Sequence, residues 1–186
     1  MNSPEIAPLQ LASEQSRLMQ SHQFLSVQYA QTYPGITLQP PARGDENTIT
    51  IVSITDNELV NGTGRVVIDS GALPDELLFG NVPDKLRRTG RKLAEIGRFA
   101  IEDSRSPLVK QFYRAFWQTC RRHHVDDILI IVKHKDVKFH ENIIGASLLI
   151  EDIGQSFGSS YTFSAMLWPV NQTKSRFFNW CGAQVI

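Results

Sequence analysis

The sequence predicts one mixed α/β domain, a single sheet with helices on its faces. Three observations carry that expectation. Leu93 to Ile101 is mostly apolar, and a polar loop and then an apolar helical repeat follow it through Trp117. Asp126 to Val132 (DDILIIV) is a continuous apolar run of the kind that makes a strand buried on both faces. Thr48 to Asp69 reads as two β-branched strands around the tight turn Asp56-Asn57-Glu58. The strand–helix–strand from 93 to 132 should be a right-handed parallel crossover, whereas the hairpin is antiparallel, so the sheet is mixed.

Taken in order, residues 1–10 read as a loose tail and residues 11–186 as the domain. Leu11 to Tyr33 reads as a helix with Ser13 as a possible N-cap, ended by Pro34-Gly35. Pro40 to Asn47 is a loop. Thr48 to Thr55 and Leu59 to Asp69 form the hairpin, and Gly62 and Gly64 mark either a bulge or a close backbone approach. Ser70 to Gly80 is irregular, and Val82 to Arg91 is a short helix opening at Pro83. After the strand Leu93 to Ile101, Pro107 suits the first turn of a helix, with Ser104 and Ser106 both able to cap it. Leu108, Phe112, Ala115, Phe116 and Thr119 or Cys120 recur at helical spacing, and that helix ends near His124. Asp136 to Ile144 is a further short helix closed by Gly145. Ala146 to Ile150 and Tyr161 to Val170 are the last strands, and Asn171 to Ile186 has no clear assignment.

A chain of 186 residues that is 41% apolar and 20% charged can bury one core. Its 19 basic and 19 acidic residues cancel, so bulk charge points to neither nucleic acid nor membrane. Basic residues are nevertheless clustered. Lys85, Arg87, Arg88, Arg91 and Lys92 precede the central strand, and Arg105, Lys110, Arg114, Arg121 and Arg122 lie on or near the next helix. They make either one basic face or an ordinary solvated surface. Cys120 and Cys181 form neither a disulfide framework nor a zinc site, and His123-His124 with Asp126-Asp127 lacks metal-ligand spacing, so no metal is expected. The N-terminus carries no secretory signal and nothing is long enough to span a membrane, which makes the cytoplasm the expected location.

The element order resembles the GNAT acyltransferase fold, and four segments resemble its N-acyl amino acid synthase and acyl-homoserine lactone (autoinducer) synthase branch. Val60 to Arg65 (VNGTGR) is similar to that branch's "hGTxR" strand. Leu73-Pro74-Asp75-Glu76 with Phe79 is similar to its "LPxE" linker. Ala94 to Ala100 (AEIGRFA) is similar to its central strand, with Gly97 in place of the usual Ser. Val137 to Gly145 (VKFHENIIG) is similar to its late helix, and His140 stands where GNAT enzymes place a general-acid Tyr. Together the segments cover roughly residues 46–170.

The resemblance implies an enzyme that moves a fatty acyl group onto an amine. The donor would be the phosphopantetheine thioester of an acyl carrier protein, or acyl-CoA. The acceptor would be an amino acid or related small amine, with no permanently bound cofactor. An acidic carrier protein would give the basic cluster a partner. The loop Asp103 to Leu108 lacks both glycines of the Q/R-x-x-G-x-G/A loop of CoA-using GNAT enzymes, which fits the carrier-protein branch better.

Such chemistry needs a neutral amine, a held oxyanion and a proton for the thiolate. Glu95 is the expected base, or else it pairs with Arg98 or Arg65. Arg98 is a second catalytic candidate, or a structural residue; it lies three residues on and faces the opposite way unless a bulge intervenes. The backbone of Phe99, Ala100 and Ile101 would hold the thioester or the pantetheine amides. Ser104, Arg105 and Ser106 at the helix start would hold its phosphate, or would simply cap the helix. Arg65 would bind the acceptor carboxylate, or it is an ordinary strand Arg. Gln20 falls where the branch expects an acceptor-binding Arg. His140 would be the general acid, or a half-exposed His. Phe112, Phe116, Trp117, Phe139, Phe163 and Trp168 would line an acyl pocket, or form core. The alternatives are an acetyl-CoA-dependent GNAT acetyltransferase and a catalytically inactive GNAT-like domain that binds an acyl group or a partner.

Overall fold

The computed structural model describes residues 9–34, 37–40, 46–103, 106–154 and 160–182. Leu9–Leu11 is a short edge strand, β1, where the sequence suggested tail and helix. Ala12 N–H still donates to Thr50 O at 2.9 Å, so strand-like pairing delays the first helix, α1, to Gln15–Thr32. Glu14, not Ser13, occupies its N-cap position. Gly35 lies outside the described residues. The hairpin follows as Thr48–Ile54 (β2) and Val60–Ile68 (β3). A 3₁₀ turn, Glu76–Phe79, and a short helix, Val82–Arg88 (α2), lead into the central strand Leu93–Ile101 (β4).

Helix α3 spans Leu108–Arg122 and returns the chain to Asp127–Lys133 (β5), parallel to β4. A 3₁₀ turn at His134–Asp136, one α-turn at Val137–Phe139 (α4) and a π-turn at His140–Ile144 replace the simple short helix. Gly145, at φ 93°, terminates the turn where a Cβ would be strained. Ser147–Ile150 (β6) and Phe163–Pro169 (β7) complete the sheet, and Ser175–Cys181 forms α5. The seven strands run in the order β1-β2-β3-β4-β5-β7-β6.

Two features of β3 and β4 shape the middle of the sheet. Gly62 and Gly64 let α3 lie directly on β3. A Cβ on Gly62 would stand 2.8 Å from Phe112, and one on Gly64 would stand 2.3 Å from Phe116. On the opposite face, the Ser21 and Thr63 hydroxyls share a hydrogen bond of 2.6 Å that ties α1 to β3. The second feature is a bulge. Thr63 opposes Ala100 and Arg65 opposes Gly97, so Arg98 and Phe99 together face Gly64 alone. Arg98 takes φ 52°, the left-handed conformation typical of such a site.

The bulge decides which way β4 side chains point. Phe99 is turned onto the α3 side, where its ring meets those of Phe112, Tyr113 and Phe116. Arg98 joins Arg65 beside the α1 residues Leu18, Ser21 and Leu25. The pairing of β4 with β5 runs only from Leu93↔Asp127 to Ile96↔Ile130. β5 goes on pairing with β7 as far as Lys133↔Phe163. Beyond Ile96 the two central strands therefore separate.

Candidate active site

The separated strands open a cleft of about 1080 Å³, walled by β4 from Glu95 to Ile101 with Glu102 just beyond it, and by β5 from Ile130 to Lys133. The edge of β4 that faces β5 is left without a strand partner here, so its peptide groups are available to a ligand. Tyr29 and Tyr33 at the end of α1 close one side, and Tyr113 and Phe116 of α3 with Phe139 and His140 close the other.

Glu95 is 2% exposed. Its Oε2 accepts the N–H of Asp75 at 2.9 Å. Burial pushes its carboxyl up from 4.5 to about 7, the Asp75 N–H and the charge of Arg65 opposing that rise only in part. Asp75 belongs to the Leu73-Pro74-Asp75-Glu76 linker, whose holding contact on Glu95 the sequence did not disclose.

Arg65 lies near Arg98 on the same face. Burial, and then the neighbouring Arg98 charge, lower its pKa. Its Nε is buried with no hydrogen-bond partner among the described residues. Arg65 and Arg98 line a small pocket beside α1, and Arg98 also lines the cleft. Against two guanidinium charges stand the Asp75 side chain and a Glu95 carboxyl that is half protonated near neutral pH, so positive charge is in excess. A ligand carboxylate would balance it.

The other predicted residues divide. Phe99, Ala100, Ile101, Phe116, Phe139, Phe163 and Trp168 line the cleft. Phe112 and Trp117 do not. Phe112 is fully buried in the core, and the Trp117 indole packs against Phe178 and donates to Val170 O at 3.4 Å. They sit on the faces of α3 that point to β3 and α5, a distinction that helical spacing alone does not make. Gln20 is exposed on α1, its Oε1 accepting from Arg17 at 2.8 Å, and it lines neither the cleft nor the small pocket around Arg65 and Arg98. The Ser106 hydroxyl accepts the Leu108 N–H at 3.2 Å from one residue ahead of the N-cap position of α3, which Pro107 occupies. Ser104 and Arg105 lie outside the described residues.

His140 is 3% exposed, not half-exposed. Its Nδ1 is 2.8 Å from Asp136 O and its Nε2 is 2.9 Å from the Tyr113 hydroxyl. A carbonyl oxygen only accepts, so Nδ1 carries the hydrogen and Nε2 accepts from Tyr113. Burial lowers the imidazole pKa, favouring this neutral form. A neutral ring with both nitrogens engaged has no proton for a leaving thiolate. The geometry makes His140 the holder of Tyr113, a cleft residue that reads in sequence as one more aromatic in FYRAFW.

Of the basic cluster, Arg87 is bound to Asp69, Glu76 and Asp84, and Arg91 to Asp127. No group of metal-ligating side chains occurs among the described residues, and no described helix is long and apolar enough to cross a membrane.

Known proteins share this fold. FeeM, an N-acyl amino acid synthase from uncultured soil microbes, superposes with a TM-score of 0.73 at 16% identity, over 96% of this chain and 99% of that one. The CoA-dependent acyl-homoserine lactone synthase BjaI, solved with SAM and isopentyl-CoA, gives 0.61 at 12% identity, over 97% and 91%. An N-acetyltransferase from Staphylococcus aureus Mu50 gives 0.61 at 7% identity, over 89% and 98%. These likenesses establish the GNAT fold. A search of curated proteins by sequence gives no match. The sequence profile of the N-acyl amino acid synthase FeeM matches residues 16–156. The chain therefore belongs to the FeeM family of N-acyl amino acid synthases: it is an acyltransferase that moves an acyl group onto an amine.

Proposed function

We propose that this enzyme takes a fatty acyl group from the phosphopantetheine thioester of an acyl carrier protein and attaches it to the α-amino group of an amino acid. The observation that carries this reading is the opening between β4 and β5, with Glu95 raised to about 7 beside two arginines. The thioester lies along the free edge of β4, its carbonyl oxygen facing the peptide N–H groups of Phe99 and Ile101. The chain enters the aromatic wall formed by Phe99, Phe116 and Phe139. Arg65 and Arg98 receive the acceptor carboxylate.

The proton accounting closes on Glu95. The acceptor ammonium first releases one proton to solvent, and the neutral amine attacks the thioester carbonyl. The second proton, which the nitrogen sheds as the C–N bond forms, goes to the Glu95 carboxylate directly or through water. The oxyanion is held by the β4 peptide groups. Collapse breaks the C–S bond and completes the C–N bond. The departing thiolate, with a free-thiol pKa of about 8.5, takes a proton from Glu95, the weaker base. No separate acid is needed.

The absence of the glycine pair from Asp103 to Leu108 favours a carrier-protein donor, for which the site needs no nucleotide-pyrophosphate cradle. A carrier-protein donor implies a cytoplasmic reaction. The test is mass spectrometry of the protein incubated with amino acids and with matched carrier-protein and CoA thioesters, from acetyl to stearoyl. A long-chain acyl amide formed faster from carrier protein supports the proposal and names both substrates. Faster transfer from long-chain CoA would replace the donor, and transfer of acetyl alone from acetyl-CoA would replace the substrate class.

A further inference from the structure

The aromatic wall of the cleft formed by Phe99, Phe116 and Phe139 is interrupted by a polar pair. Tyr113 is caged by Phe99, Phe116, Phe139 and Trp180, with ring centroids 5.7–6.2 Å away. Its hydroxyl and His140 form a polar spot in that wall, and both residues line the cleft. The direction of their hydrogen bond is fixed from behind. Asp136 O takes the Nδ1 hydrogen at 2.8 Å, so Nε2 accepts and the single Tyr113 hydroxyl proton is committed to it at 2.9 Å. What Tyr113 Oη retains is lone pairs. It offers the cleft an acceptor and no donor.

A saturated chain laid over that oxygen strips its solvent and gives nothing back. A chain with an oxo group there sets acceptor against acceptor. A chain with a hydroxyl there donates to it and leaves the Tyr113–His140 bond intact. We propose that Tyr113, oriented by His140, is a specificity-determining residue that makes this enzyme prefer hydroxylated fatty acyl chains over saturated chains of the same length, with oxo chains the poorest. The proposal rests on the acyl-transfer reading above and deepens it by naming a class of donor.

The test is a competition between equal amounts of a saturated acyl thioester and one of the same length bearing a single hydroxyl or oxo group, moved along the chain one carbon at a time. The amides are counted by mass spectrometry, so the readout is a ratio of kcat/KM values. At one hydroxyl position the wild-type enzyme should favour the hydroxylated chain about three- to tenfold, the range one neutral hydrogen bond supports. Tyr113→Phe keeps the ring and should bring that ratio to one. His140→Leu removes the acceptor, frees the Tyr113 proton to donate, and should move the preference toward the oxo chain. Saturated chains used as well as hydroxylated ones at every position would overturn this proposal and leave the acyl-transfer reading standing. So would a preference that survives in Tyr113→Phe. Absence of amide from every donor would instead overturn the substrate assignment on which it rests.

Discussion

Two charged groups are joined by the linker that leads into α2, and they are built in opposite ways. In the first, Arg87 is fully engaged. Its Nε and Nη2 donate to Asp69 at 2.6 and 3.1 Å, and its Nη1 and Nη2 donate to Glu76 at 2.6 and 2.5 Å. The Arg87 hydrogen bond holds the Glu76 carboxyl below its usual range. In the second, Glu95 is raised rather than lowered, and Arg65 Nε has no partner among the described residues. The contrast separates scaffold from site. Paired forks fix a loop, while underpaired charge waits for a ligand. The two are linked through consecutive residues, because Glu76 is bound by Arg87 and the Asp75 N–H is presented to Glu95.

Breaking the open group should have the largest effect. Glu95→Gln keeps the shape and removes the base, so kcat/KM should fall by about a hundredfold or more. Wild-type kcat/KM should rise through pH about 7 as Glu95 ionises, and the variant should lose that rise. Stability should move the other way. The folded pKa is raised from 4.5 to about 7, so the carboxyl contributes stability that is fully present below 4.5 and is lost as pH climbs through about 7. The variant has nothing to ionise there. Its melting temperature should lack that decline and should stand above the wild-type value at pH 8 or so. A variant melting curve with the same decline would remove Glu95 as its cause.

Breaking the closed group should cost stability first. Arg87→Ala leaves Asp69, whose side chain is 7% exposed, without its counter-ion. Because Arg87 itself is 22% exposed, the loss should be about 2 kcal/mol, below the range for a fully buried pair. Urea denaturation measures it. Activity should fall less than for Glu95→Gln, since only the placement of the Asp75 N–H is loosened. A hundredfold rate loss with unchanged stability would erase the distinction between the two groups.

The same contrast bears on what could be read in sequence. Strand β4 occupies the span its apolar run suggests, and the hairpin, α3 and β5 are each written in a local run. Strand β1 is three residues long and exists through pairing with β2, so no local pattern announces it. The bulge at Arg98 is harder still. An Arg in left-handed conformation has no sequence mark, yet it brings Arg98 onto the face of Glu95 and gives Phe99 to the cleft wall. Phe112, Phe116 and Trp117 share one apolar stripe. The seating of α3 takes Phe112 onto Gly62 and Phe116 onto Gly64 alike, and of the three only Phe116 also reaches the cleft. The tautomer of His140 depends on a carbonyl four residues back and a hydroxyl on another helix, neither of which spacing reveals.

The two smaller predictions probe glycines on opposite faces of the sheet. Gly64→Ala would place a Cβ 2.3 Å from Phe116 Cζ and 2.7 Å from its Cε1. That ring is held by Phe99, Phe112 and Tyr113 and has little room to turn. The variant should lose about 1–3 kcal/mol, and the displaced ring should narrow the acyl cleft, raising KM for long chains before short ones. Gly97→Ser is the gentler change. A Cβ there meets only Glu95 Oε1, at 3.5 Å, an ordinary contact, so stability should change by no more than about 0.5 kcal/mol. The added hydroxyl stands within reach of the carboxyl and, donating to it, favours the charged form. The rise in kcat/KM should then move below pH about 7, leaving a weaker base that is ionised over a wider range. If the rise stays in place while stability is unchanged, the serine hydroxyl is bonded elsewhere, and the glycine does not set the basicity of Glu95.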